Sequence, residues 1–478
     1  MLGAVVFGSL IGGCATEPET PAYPFPDGES PVGKGDTITA LPVQMNAPTA
    51  GSFTQQIDHD SQQGTFNQRF WYSTEFTKGD PNAPVLFYFC GEAACDPGYA
   101  LTMADAAYSL NAAVVVLEHR YYGESKPYPD YTLDHMKYLT IHNALEDGAA
   151  FETYAKTNLP LAGKWIAVGG SYPGMLAAFY RETHPELVVG AWASSAPVQV
   201  TQAFSGYDMI ASKALGQPCL QLFQQVLKEA GTAYDDPTQK DQLSMALFGA
   251  PAPATKTDFL SYFSNYAEGA AQYGNERKLC AALEQESDPM TGFQEYLYPP
   301  IAGVDPSVPN GPTAEPGTHA NPAPSRGKII SKLVAPDVLG DFTGNEWFYQ
   351  VCTEVGFFQI KNSDRTQSIM ADGITTQYWT DLCNQYVGKQ PAIDATRTAF
   401  VDKLDQGMVS NVLFVNGSND PWSSLSYTDS AAPAGLSTLV VATGSHCEDL
   451  ESLTLDSVLG VFKAHKEFYD LATTVWLK

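Results

Sequence analysis

The stretch that decides the fold is WIAVGGSYPGMLAAFYRE, residues 165–182. Trp165–Val168 is a short apolar run of strand character, and Met175–Glu182 has helical spacing. Between them lies Gly169-Gly170-Ser171-Tyr172-Pro173-Gly174. A serine on a tight strand-to-helix turn needs small neighbours, because backbone must pass backbone there, and the turn lifts the hydroxyl above the carboxyl edge of the sheet. The strict G-x-S-x-G pattern fails at its fifth position, which is Pro173. Proline suits the first helical turn, where its missing N–H has no intrahelical partner in any case. Taken alone, the motif reads as well as a plain glycine-rich turn as it does as a nucleophile elbow.

Working outward, residues 84 to 200 alternate strand and helix. Val85–Phe89 and Ala112–Leu117 read as buried strands, Leu145–Tyr154 as a helix and Val188–Ala193 as a strand. That alternation predicts an α/β fold with a doubly wound, mostly parallel sheet. Residues 201–395 differ: Leu215–Glu229 and Glu276–Glu286 look like amphipathic helices, and convincing strands are absent. Inside them, 299–324 holds eight prolines and reads as a surface excursion without a core. Strand character returns at Val412–Val415 and Thr438–Ala442, and Leu453–Leu471 reads as a closing helix. The expected architecture is one sheet domain, 51–200 and 396–478, interrupted by a helical cap at 201–395.

Composition narrows the function classes. Lys and Arg number 26 against 53 Asp and Glu, a net charge of −27, which excludes a phosphate-binding footprint for nucleic acid and disfavours anionic lipid surfaces. Aromatics make up 12%, too many for a disordered acidic chain. Residues 2–13 are apolar, too short to span a bilayer, and fit the core of an export signal. Leu10-Ile11-Gly12-Gly13-Cys14 has the form of a bacterial lipobox, which makes Cys14 a lipidation candidate, although no basic residue precedes Lys34. The expectation is export signal over 1–14, flexible tether over 15–50, and a cell-envelope lipoprotein or secreted protein whose only membrane contact is that lipid.

Two further motifs complete a chemical set. Asn416-Gly417-Ser418-Asn419-Asp420-Pro421-Trp422 follows one late strand, and Gly444-Ser445-His446-Cys447 follows the last. Either could be an ordinary turn. Together with Ser171 they give the order Ser, Asp, His, each after a strand, which is the order of an α/β-hydrolase triad. The assignment is Ser171 as nucleophile, His446 as general base and Asp420 as the acid that fixes the imidazole. The oxyanion donors would be the N–H of Tyr172 and backbone of Gly91-Glu92-Ala93, the loop after an earlier strand. Glu92 reads equally as structural or as an anchor for a substrate's amino terminus. The remaining histidines, among them His119 and His465, read as ordinary. The strongest His/Asp/Cys cluster is accounted for by the triad, so neither metal nor cofactor is implied.

These residues resemble the family of serine peptidases that contains prolyl carboxypeptidase, dipeptidyl peptidase II and the thymus-specific serine protease. The resemblance rests on Phe53-Thr54-Gln55-Gln56-Ile57-Asp58-His59, on Thr65–Phe70, on Glu118-His119-Arg120-Tyr121-Tyr122-Gly123-Glu124-Ser125, on the block Gly169–Pro197, on Tyr349-Gln350-Val351-Cys352-Thr353-Glu354, and on the acid and base motifs. It runs in order from about 53 to 470. It implies an α/β-hydrolase fold with a helical cap and cleavage of peptide bonds after proline near a chain terminus, as in dipeptidyl-peptidase activity. It implies that Trp422, Phe357 and Phe358 wall a proline slot. It also implies a Cys352–Cys383 bridge; Cys219 with Cys280 and Cys90 with Cys95 are further candidate pairs, leaving Cys447 beside the base. Dimers are common in the family, so a homodimer is an expectation. The rivals are an esterase or lipase on the same fold, and an inactive hydrolase-like surface binding protein; the cap motif and the opening signature favour proline-containing peptides as substrates.

Overall fold

The computed structural model describes residues 43–298, 345–428, 432–454 and 457–478. Cys14, the export signal, most of the tether and the proline-rich stretch 299–324 lie outside them.

Eight strands form one sheet: β1 (Thr49–Gln56), β2 (Thr65–Ser73), β3 (Val85–Phe89), β4 (Ala113–Leu117), β5 (Trp165–Gly170), β6 (Val188–Ser194), β9 (Val412–Gly417) and β10 (Leu436–Val441). Their order is β1-β2-β4-β3-β5-β6-β9-β10. From β4 to β10 every pairing is parallel, while β1–β2 and β2–β4 are antiparallel. The mostly parallel α/β sheet read from the sequence is therefore the architecture found. Its central strands are buried at every position of VLFYF, AVVVL and WIAVGG, as expected where helices cover both faces. Strand β1 begins at Thr49, inside the stretch expected to be tether, because Thr49 pairs with Tyr72.

The helical insertion expected over 201–395 divides differently. One compact unit takes the described residues 205–298 and 359–382; the other takes 43–204, 345–358 and 383–478. The smaller unit packs helices around Phe223, Phe259, Phe263 and Phe293, with Cys219 bonded to Cys280. Its helix Cys219–Tyr234 starts later than the predicted Leu215, because the preceding helix ends at Gly216 with φ 68° and Pro218 follows. Segment 345–358 stays with the sheet unit for two reasons. Cys352 bonds Cys383, and β8 (Gly356–Gln359) pairs with β7 (Thr201–Phe204). Both strands were missed because four residues are too few to show a period.

Behind the sheet unit's loops lies a buried ion pair. Arg120 Nε and Nη2 donate to Asp147 Oδ2 and Oδ1 at 2.7 and 2.5 Å, and both residues are excluded from solvent. Nη1 donates to the carbonyls of Ile57 and Tyr138 at 2.7 and 3.0 Å, and His59 Nε2 lies 2.8 Å from Asp147 Oδ1. The opening signature and the Glu118–Ser125 motif thus meet at one carboxylate. Removing one member of such a pair strands a charge in low dielectric. Arg120→Met is expected to lower the unfolding free energy by about 3–5 kcal/mol. Urea denaturation checks this, and an unchanged midpoint would show that the pair is not an organising contact.

Candidate active site

Ser171 follows β5 directly and precedes the helix Tyr172–Thr183, with Pro173 in its first turn. Its φ of 65° and ψ of −133° are costly for a residue with a Cβ, of order 1–3 kcal/mol. The surroundings hold it there. Ser171 N–H donates to Ser194 O at 2.9 Å, and Met175 N–H donates to Ser171 O at 3.0 Å. A Cβ on Gly169 would lie 2.2 Å from Pro173 O, and one on Gly174 would lie 2.6 Å from Ser194 O. These are backbone atoms that cannot yield, so glycine is required at both positions. The turn is an elbow and not merely a glycine-rich loop.

The loop that should supply the second oxyanion donor arrives by the same kind of contact. A Cβ on Gly91 would fall 2.5 Å from Pro173 Cγ. The proline that breaks the strict motif is therefore packed against Gly91, beside Tyr172. Cys90 bonds Cys95 across this loop, and the Glu118 carboxylate accepts Cys95 N–H at 3.2 Å while held by Arg69 Nε at 2.8 Å. Loss of solvent raises the Glu92 carboxyl to about 7, opposed by a backbone hydrogen bond and by the nearby His446.

Asp420 and His446 are joined. His446 Nδ1 lies 2.9 Å from Asp420 Oδ1, both side chains being buried. The same oxygen accepts Trp422 N–H at 3.0 Å, capping the turn Pro421–Leu425. The two loops are zipped together: Ser418 N–H donates to Val441 O and Asn419 N–H to Gly444 O, each at 2.9 Å. The base loop packs on the elbow, since a Cβ on Gly170 would lie 2.8 Å from Cys447 Sγ. Ser171, Asp420 and His446 thus gather at the carboxyl ends of β5, β9 and β10.

Trp422 stands beside this pair, its ring centroid 6.4 Å from that of His446. Phe357 meets it edge-on at 5.5 Å, and Phe204, which the sequence did not single out, lies 5.3 Å away. Trp422 retains 7% exposure, Phe357 2% and Phe358 none, so Trp422 is the ring with surface to offer.

Sequence reasoning also passed over a polar chain behind Tyr172. His119 Nδ1 lies 2.8 Å from Arg120 O, an acceptor only, so it carries the proton and Nε2 accepts from Tyr172 OH at 3.1 Å. Burial pushes the His119 pKa down to about 4, which keeps it neutral and preserves this direction. Gln350 Nε2 donates to Tyr172 OH at 2.9 Å, and Gln350 Oε1 accepts from Tyr122 OH at 2.7 Å. In the sequence His119 is an ordinary histidine; only the fold brings it to Tyr172, the residue after Ser171.

Residues 55–292 and 332–467 match the family described as Serine carboxypeptidase S28. The chain belongs to that family. It is a serine-type peptidase. The thymus-specific serine protease of Mus musculus is 28% identical, the alignment covering 84% of this chain and 82% of that one. The lysosomal Pro-X carboxypeptidase of Homo sapiens is 25% identical over 91% of this chain and 92% of its own. Among solved structures, a proline iminopeptidase of Mycobacterium smegmatis aligns over 88% of this chain and all of its own, at 15% identity and a TM-score of 0.37. Among the described residues no helix is long and apolar enough to cross a membrane.

Gly169→Ala tests the elbow. If Ser171 is the reacting group, a shift of about 1 Å there costs roughly 100-fold, so hydrolysis of every substrate is expected to fall at least that far. Steady-state rates equal to wild type would mean that the turn tolerates a Cβ and is not built on this contact.

Proposed function

We propose that this S28 peptidase hydrolyses the peptide bond after proline near a chain terminus, with Ser171, His446 and Asp420 as its triad. The observation that carries the reading is the His446–Asp420 bond set beside the strained Ser171 elbow, with the Trp422 ring against it. The carboxylate accepts only, so Nδ1 carries the proton and Nε2 is the basic nitrogen. His446 Nε2 takes the Ser171 proton as Oγ attacks the proline carbonyl. The Tyr172 N–H and the 91–93 backbone face the oxygen that gains charge. The C–N bond breaks as the proton passes to the leaving amine. Water, giving its proton to the same nitrogen, then releases the acyl group.

Trp422 supplies a flat face to the proline ring, and Phe357 and Phe204 hold the indole in place. The three bonded cysteine pairs support export to an oxidising compartment. Incubation of wild type and Ser171→Ala with Xaa-Pro peptides, longer proline peptides and p-nitrophenyl esters tests the whole reading. Wild type should cleave after proline and the variant should not. Ester turnover with no proline cleavage would assign an esterase instead, and no turnover at all would assign a binding protein. Trp422→Ala should raise KM for proline peptides about 10-fold or more, the loss of roughly 1.4 kcal/mol of contact. An unchanged KM would remove Trp422 from the slot.

Glu92 is proposed as the anchor for a substrate amino terminus. Its carboxyl, raised to about 7, is neutral below that pH and attracts no ammonium; above it the carboxylate is present. A free α-amine keeps its proton to about 7.7–8, so preference for free over N-acetylated substrates should rise with pH and peak between roughly 7 and 8. Paired pH–rate profiles check this. A Glu92→Gln variant that keeps the preference would rule the anchor out.

A further inference from the structure

Ser194 ends β6, Ser195 follows it, and together they touch all three loops of the site. Ser194 O accepts Ser171 N–H at 2.9 Å, from the nucleophile turn. Ser195 N–H donates to Val415 O at 2.7 Å, on the strand that leads to Asp420. Ser195 Oγ accepts the N–H of Cys447, the residue after His446, at 2.9 Å. Ser194 Oγ donates to Asp449 Oδ1 at 2.5 Å, three residues after His446, and Trp192 Nε1 donates to Asp449 Oδ2 at 2.9 Å. Ser194 and Ser195 have no solvent exposure and Asp449 has 2%.

We infer that Asp449 and Ser195 are positioning residues for the general base, an inference that rests on the triad reading. His446 has one ring nitrogen fixed by Asp420, but its backbone belongs to a loop that must be held against β6. Three side-chain bonds do this, one at Cys447 and two at Asp449. Cys447 at φ 60° and Ser195 at φ 47° are both non-glycine residues in left-handed backbone, so both ends of the Cys447 contact are held away from the ordinary minimum. Without the Ser195 hydroxyl, Cys447 N–H is left buried without its acceptor. Without the Asp449 carboxyl, both Trp192 Nε1 and Ser194 Oγ lose their acceptor. Either loss loosens His446 relative to Ser171, while the Gly91 loop is held separately by the Cys90–Cys95 bond and Pro173. The damage should therefore fall on the chemical step and spare substrate binding.

Asn is the conservative replacement at 449. Its Oδ1 can accept from Trp192 Nε1, and the Ser194 hydroxyl can turn to accept from Nδ2. Asp105 provides a matched control. It is a similarly buried carboxylate that accepts Leu453 N–H at 2.8 Å and Val43 N–H at 3.2 Å, farther along the same chain segment. The experiment measures kcat, KM and thermal unfolding for Asp449→Ala, Asp449→Asn, Ser195→Ala, Asp105→Asn and His446→Ala, on whichever proline peptide or p-nitrophenyl ester wild type turns over fastest. The expected result is a kcat lowered about 10- to 100-fold with KM within about 2-fold for Asp449→Ala and Ser195→Ala. Asp449→Asn should recover to within about 3-fold of wild type, and Asp105→Asn should lose stability but not kcat. Should Asp449→Ala not fold, Ser195→Ala and the Asn rescue decide the matter by the same criteria. Unchanged kcat in Ser195→Ala and Asp449→Ala, beside an inactive His446→Ala, would overturn the positioning role alone. Equal kcat losses in Asp105→Asn and Asp449→Ala would also overturn it, by showing a general effect of stability. Full activity in His446→Ala would overturn the triad and this inference with it.

Discussion

A serine at φ 65° persists only because backbone crowds it on every side. Gly169 passes against Pro173 O, Gly174 against Ser194 O, and Ser194 O in turn accepts the serine's own N–H. The contact density that forbids a Cβ at two positions is also what fixes the hydroxyl above the sheet. The strain, about 1–3 kcal/mol, is met by the packing of β5, β6 and the following helix. Everything else at the site arrives at this point. Gly91 packs on Pro173, the 444–447 loop presses Cys447 onto Gly170, and the 416–422 loop is zipped to the 444–447 loop.

A second layer keeps those loops from drifting. Asp147 gathers Arg120 and His59, and Arg120 gathers the carbonyls of Ile57 and Tyr138. Glu118 holds Arg69 and the Cys90–Cys95 loop. Buried ions are poor sources of net stability, but they admit few alternative arrangements, and here each is satisfied from several segments at once. The neutral His119 passes that order to Tyr172 through a chain of hydrogen bonds with assigned direction. The site is therefore set by polar contacts underneath it as much as by the sheet.

Much of this was legible from residue order. The continuous apolar runs at Val85–Phe89, Ala112–Leu117 and Trp165–Val168 fit strands covered on both faces, and three chemistry-bearing loops after strands pointed to one sheet edge. Contacts made across long sequence separation were not legible. Nothing in the sequence joins Tyr172 to Gln350 or Ser194 to Asp449, because hydrogen bonding between distant segments leaves no period. Pro173 reads as a defect in a motif, and in the fold it packs against Gly91 of the loop after β3. The strands β7 and β8 were too short to announce themselves, and so the extent of the helical insertion was overstated at 345–358 and 383–395.

The central claim is that the hydroxyl at the elbow is the group activated by the His446–Asp420 pair. Its most direct measurement is covalent: treatment of the purified protein with a fluorophosphonate, followed by proteolysis and mass spectrometry to locate the phosphonyl adduct, in wild type and in His446→Ala. The account predicts one stoichiometric adduct on Ser171 in wild type and none at that residue in His446→Ala. An adduct on another serine, or labelling of Ser171 at the same rate without His446, would contradict it.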